Sequence, residues 1–108
     1  MIHTTDVDLH TLRVELPSRL DIQCSPNLKE LFQIALRNDK KYFLVIADDV
    51  SYIDSSGLAS IISGLKGARS HQGELYLVGP SPAVRELLSM TLLDRVIPTL
   101  EREADFSL

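Results

Sequence analysis

The segment Asp54-Ser55-Ser56-Gly57-Leu58 places two hydroxyls and a carboxylate where a strongly apolar stretch gives way to an amphipathic one. Read as the first turn of a helix, the segment offers backbone N–H groups without internal partners and the positive end of the aligned peptide dipoles. A phosphate on such a serine adds roughly −1.5 to −2 charge at neutral pH. The helix start would tolerate that charge, whereas a partner docked on it would be repelled. The chemistry this segment could support is reversible phosphorylation that leaves the fold intact and changes what binds to it. The competing reading is structural: a helix has one N-cap, Asp54 or Ser55 filling it contributes about 1 kcal/mol, and Ser56 is then incidental.

Other chemistries at this segment lack their parts. A nucleophilic serine needs a general base and an orienting third group. His71 lies about 15 residues or ~22 Å further along the expected helix, His3 and His10 belong to the N-terminal strand region, and no Gly-x-Ser-x-Gly elbow occurs. Asp48, Asp49 and Asp54 could attract Mg²⁺ weakly, but the histidines are scattered and there is no cysteine pair, so no metal site is expected. Phosphate-cradling Gly-rich loops are missing, so no nucleotide or other cofactor is expected and the chain reads as a non-enzyme.

Composition narrows the partners. The 108 residues suit one compact domain over 1–108, with about 101–108 forming a loose C-terminal tail. A net charge of −4, 6% aromatic residues and no Trp argue against nucleic acid, which selects clustered Lys and Arg and stacking rings. Cys24 is the only cysteine, which rules out an internal disulfide and fits a cytoplasmic setting. The longest apolar run, Tyr42 to Ala47, is far below the ~20 residues that span a bilayer, and the start of the chain has no signal pattern, so no membrane insertion is expected.

The elements that position the segment follow from periodicity. Val7, Leu9, Leu12, Val14 and Leu16 nearly alternate, giving a strand or a hairpin turning near Thr4-Thr5-Asp6. Ser25-Pro26 offers an N-cap and a first-turn proline before Leu28, Leu31, Phe32, Ala35 and Leu36, a first helix. Tyr42 to Ala47 reads as the middle strand of a sheet, buried on both faces. Leu58, Ile61, Ile62, Leu65 and Ala68 mark a second helix, whose Gly57, Gly64 and Gly67 imply close packing against the sheet. Glu74 to Val78 is a further strand, Ser81-Pro82 starts a third helix ending near Met90, Val96-Ile97 is a short strand, and Glu101 to Ala104 adds a helical turn. Alternation of strands and helices gives an α/β layered domain.

Val50 to Leu58, taken with Leu75 to Val84, Arg19-Leu20-Asp21 and Leu93-Asp94-Arg95, resembles a STAS domain, and in particular the bacterial anti-sigma factor antagonists. The matches run in order over nearly the whole chain. The resemblance implies a small mixed β-sheet with helices packed mainly on one face. It also implies a partner-switching module: the unphosphorylated form binds an anti-sigma factor that is a serine kinase, phosphorylation of Ser56 ends that binding, and a serine phosphatase restores it. Asp21, Asp54, Ser55, Ser56, Gly57 and Leu58 would then meet the partner, with Gly57 admitting the kinase close to the backbone. Family members usually carry Asp or Asn where this chain has Ile46, and Gly where it has Ser18 and Leu92. Loss of a polar group at Ile46, expected near the phosphorylation site, raises a second reading, the STAS accessory subunit that binds the ATPase of lipid-trafficking ABC transporters without phosphorylation.

Overall fold

The computed structural model describes residues 1–107. Its core is a mixed five-stranded sheet in the order β1 (His3–Asp6), β2 (Thr11–Glu15), β4 (Tyr42–Ile46), β6 (Glu74–Val78), β7 (Thr99–Leu100). β1 runs antiparallel to β2, and every other neighbour is parallel. β4 is the middle strand, as its unbroken apolar run requires, with Val45 opposite Val14 on one side and Leu77 on the other. A separate parallel pair, β3 (Arg19–Leu20) with β5 (Tyr52–Ile53), stands apart from the main sheet.

Three α-helices complete the α/β fold: α1 (Ser25–Arg37), α2 (Ser55–Ser70) and α3 (Pro82–Met90). Phe43, Val45, Leu75 and Leu77 point to the face that carries them, where they share one core with Leu28, Phe32, Ile61, Leu65, Val84 and Leu88. Two parallel strands joined through a helix bury that helix on the sheet, and the crossover hand puts successive helices on the same side. α1 and α2 also pack tightly on each other. A Cβ at Gly64 would sit 2.6 Å from the Phe32 ring and one at Gly67 2.6 Å from Leu36 Cδ1. Gly64 and Gly67 therefore serve the contact with α1 rather than with the sheet.

Alternation sends Leu44, Ile46 and Val78 to the opposite face, where Tyr76, Leu100 and Phe106 cover them. The Phe106 ring lies 5.6 Å from Tyr76 and 6.3 Å from Tyr42, and Glu103 pairs with Arg13 Nε at 3.0 Å. Phe106 and Glu103 thus anchor the last described residues on this face of the sheet, where three apolar side chains have no helix to cover them. Ile46, 6% exposed, belongs to this second cluster, so it does not border Ser56.

Three local expectations are corrected. The hairpin turn falls at residues 7–10, closed by Val7 N–H donating to Thr11 O at 3.0 Å, and Thr4-Thr5-Asp6 are strand. The last strand is Thr99–Leu100 rather than Val96-Ile97, since Pro98 delivers its carbonyl to Leu77 N–H and pairing starts after it. Ser25 is not an N-cap: α1 begins on Cys24 without a side-chain cap, and Ser25 turns inward.

Candidate functional site

The β3–β5 pair builds the site. Register aligns Arg19 with Tyr52 and Leu20 with Ile53, so both chains leave the pair at the same end, one into α1 and the other into α2. Asp54 N–H donates to Leu20 O at 3.2 Å, extending the pairing by one rung. Past Leu20 the chain turns on Asp21, whose carbonyl accepts from Cys24 N–H and Ser25 N–H and whose Oδ1 accepts from Gln23 N–H at 3.0 Å.

Asp54 caps α2 and ties the two starts together. Its Oδ1 accepts from Gly57 N–H at 2.9 Å and from the Ser56 hydroxyl at 2.6 Å, while Oδ2 accepts from Ile22 N–H at 3.2 Å. Hydrogen bonds to the ionised form favour it. The Ser56 hydroxyl first and the Gly57 N–H second hold the Asp54 carboxyl below its ordinary range, with desolvation opposing and Ile22 N–H adding to the lowering. Of the two alternatives for the cap, Asp54 fills it, and Ser55 is an exposed first-turn residue.

Ser56 is half-buried and held from both sides. Its hydroxyl donates to Asp54, and its oxygen accepts from the hydroxyl of Ser25 at 3.2 Å. One lone pair of Ser56 Oγ is left for other chemistry. The hydroxyl faces a groove between the starts of α1 and α2, lined by Ser25, Pro26, Lys29, Ser56, Ala59 and Ser60. Asp21 does not join this chain of hydroxyls; its Oδ2 pairs with Arg19 Nε at 3.3 Å, and the Arg19 guanidinium stacks 4.2 Å over the Tyr52 ring.

Two of the expected partner residues are committed inward. Gly57 is buried, and a Cβ there would lie 2.3 Å from Leu20 O, so its smallness is used by β3 within the chain. Leu58 is half-buried against the main core. The outward-facing atoms are those of Ser55, Ser56 and the edge of Asp54, next to Ile22, which is 65% exposed. Among the described residues no group of three or more His, Cys, Asp or Glu is placed to hold a metal. Asp48 and Asp49 are exposed in the β4–β5 connection and make no bond to the Asp54 cluster. His10 and His71 line a shared depression where β2 and β4 begin, with Lys40 and Lys41.

Sequence reasoning missed Ser25, Lys29 and the Ile22 N–H. A signal for them existed: Arg19-Leu20 and Tyr52-Ile53 each precede a helix start by a few residues, and parallel pairing of the two would bring those starts together.

With this geometry in place, comparison with known proteins decides the family. A family model described as the STAS domain matches residues 3–106. The anti-sigma-B factor antagonist of Staphylococcus aureus is 30% identical over 90 residues, covering 83% of this chain and 82% of that protein. This chain belongs to the STAS domain family, among the anti-sigma factor antagonists.

Solved structures agree on the fold. An anti-sigma-factor antagonist STAS domain protein from Planctomyces limnophilus superposes with a TM-score of 0.82 at 22% identity, covering 96% of this chain and 92% of that one. The Bacillus cell fate determinant SpoIIAA, in its phosphorylated form, gives 0.78 at 18% identity, covering 96% and 95%. The mixed five-stranded sheet and the three helices of this STAS domain therefore match the fold of these neighbours. No helix among its described residues is long and apolar enough to cross a membrane.

Proposed function

We propose that this STAS domain is a phosphorylation-controlled partner switch: it binds an anti-sigma factor when Ser56 is unmodified and releases it when Ser56 is phosphorylated. The observation that carries the reading is the Ser56 hydroxyl itself, half-exposed at the start of α2, oriented by Asp54 at 2.6 Å and by Ser25 at 3.2 Å, with no histidine among its hydrogen-bond partners in the described residues. A hydroxyl so placed is a substrate for a kinase rather than a nucleophile with its own base. Phosphate added there is compatible with the helix dipole and adds its charge to that of the Asp54 carboxylate two residues earlier, so the local field turns sharply negative without any need for refolding.

The partners of this reading are an anti-sigma factor serine kinase and a serine phosphatase that acts on phosphorylated Ser56. Support comes from the antagonist relatives and from SpoIIAA, a shared fold that exists in a phosphorylated form. The domain acts as a binding module and kinase substrate, not as an enzyme, in the cytoplasm where those partners work. The accessory-subunit reading gains nothing from Ile46, which packs against the C-terminal segment on the face away from the helices.

Pull-downs from native cytoplasm with wild type, Ser56→Ala and Ser56→Asp, with mass spectrometry of Ser56, test the proposal. Expected are an anti-sigma factor on wild type and Ser56→Ala, its loss on Ser56→Asp, and phosphoserine at 56 in part of the wild-type pool. Retention of every partner by Ser56→Asp together with absence of phosphoserine under all growth conditions would overturn it.

A further inference from the structure

Resting on Ser56 as the phosphoacceptor, we infer that α1 carries the receiving half of the switch: the phosphate on Ser56 turns away from Asp54 into the groove between α1 and α2 and is held there by Lys29 and the Ser25 hydroxyl. Transfer from a nucleoside triphosphate forms the Ser56 O–P bond and breaks its O–H bond, with the proton passing to solvent and the nucleoside diphosphate leaving. That step removes the donor that Asp54 Oδ1 accepts at 2.6 Å and puts an anion in its place. Two like charges at hydrogen-bond distance repel, so the side of Ser56 facing Asp54 closes to the phosphate.

The opposite side is furnished for it. The Ser25 hydroxyl, 4% exposed, already donates to Ser56 Oγ at 3.2 Å, and a small shift would carry that donation to a phosphate oxygen. Lys29, one turn further along α1, lines the same groove, is exposed, and forms no ion pair among the described residues. Ala59 leaves room in the wall, and the Ser60 hydroxyl is already bound to Gly57 O at 2.7 Å and stays out of the site. The other charged groups around the junction are already engaged: Asp21 pairs with Arg19, and Arg19 lies over Tyr52. An ammonium group and a hydroxyl converging on a dianion match ordinary phosphate recognition. The consequence for regulation is that one modification changes two surfaces at once, adding negative charge at α2 and neutralising Lys29 on α1.

The test uses the full chain with phosphoserine installed at position 56 during translation, so no kinase is required, and follows the phosphate by ³¹P NMR as pH is varied. Lys29→Met should raise the second phosphate pKa by roughly 0.5 unit relative to the phosphorylated wild type, Ser25→Ala should raise it by less, and Lys66→Met, outside the groove, should leave it unchanged. A Lys29→Met titration superimposable on wild type would overturn the inference. A protein that is never phosphorylated in cells would instead overturn the switch and leave this result standing.

Discussion

The Ser56 hydroxyl donates to Asp54 Oδ1 at 2.6 Å, and the same oxygen of Asp54 caps α2 by accepting from Gly57 N–H at 2.9 Å. The residue proposed to be modified and the residue that starts its helix therefore share one acceptor atom. Chemistry at Ser56 is felt at the cap, and the cap fixes where the Ser56 hydroxyl points. Because Asp54 Oδ2 also holds the Ile22 N–H, the loop before α1 is part of the same unit.

Removing the carboxylate should cost both ties. Asp54→Ala is expected to destabilise the domain by about 1–2 kcal/mol, the upper part of the range for N-cap loss, whereas Asp54→Asn, which still accepts, should cost less than half as much. Urea denaturation of the three proteins checks the order; equal midpoints would mean that Asp54 caps nothing of consequence.

The same carboxylate gives stability a pH dependence of defined sign. Its pKa in the folded chain is lowered, chiefly by the Ser56 hydroxyl and then by the Gly57 N–H, so the unfolded chain binds its proton more readily. The contribution is fully present above the unfolded aspartate pKa of about 3.9 and is lost as pH falls through the lower folded value. Ser56→Ala removes the main cause, so the Asp54 carboxyl should titrate higher in that variant than in wild type. Carbon-detected NMR of the Asp54 side chain reads both values directly.

Gly57→Ala separates helix propensity from packing. In an exposed helix interior alanine gains up to about 1 kcal/mol over glycine, yet here the new Cβ would come within 2.3 Å of Leu20 O, a backbone atom that cannot rotate away. The expected result is a net loss of about 1–3 kcal/mol, the range for overpacking, seen as a lower melting temperature. Gly67→Ala should be milder, since it meets only the flexible end of Leu36.

How much of this was legible in the residues differs from element to element. Tyr42 to Ile46 announced a central strand because only burial on both faces suits an unbroken apolar run, and Ser81-Pro82 announced α3 because cap and first-turn proline coincide. The same Ser-Pro signature misled at Ser25, where the serine is drawn inward to Ser56 by a tertiary contact that no local pattern encodes. Alternation in β4 separates Phe43 and Val45 from Leu44 and Ile46 but does not say which set the helices cover, and Ile46 lies on the face that packs against Phe106, away from Ser56. The two-residue strands β3 and β5 were too short to carry any periodicity, although they position the whole site.

Leu92 joins sequence and backbone in another way. It sits at φ 62°, ψ 15°, the left-handed region that glycine enters freely, and its side chain is 56% exposed. A leucine there costs roughly 1–2 kcal/mol and recovers little through burial, which accounts for the glycine expected at this position. Leu92→Gly should leave stability unchanged or raise it by up to about 1 kcal/mol, after the greater freedom of glycine in the unfolded chain is offset. Thermal melts decide it, and a clear loss of stability would show that the Leu92 side chain makes a contact of value.

The central claim is that phosphate on Ser56 separates this STAS domain from its anti-sigma factor without unfolding it. Calorimetric titration of the anti-sigma factor recovered by the unmodified chain, against unmodified protein and protein carrying phosphoserine at 56, tests it most directly, with circular dichroism to verify that both are folded. A penalty of about 3–4 kcal/mol predicts a Kd two to three decades weaker for the phosphorylated form at unchanged melting behaviour. Equal affinities for the two folded forms would contradict the account.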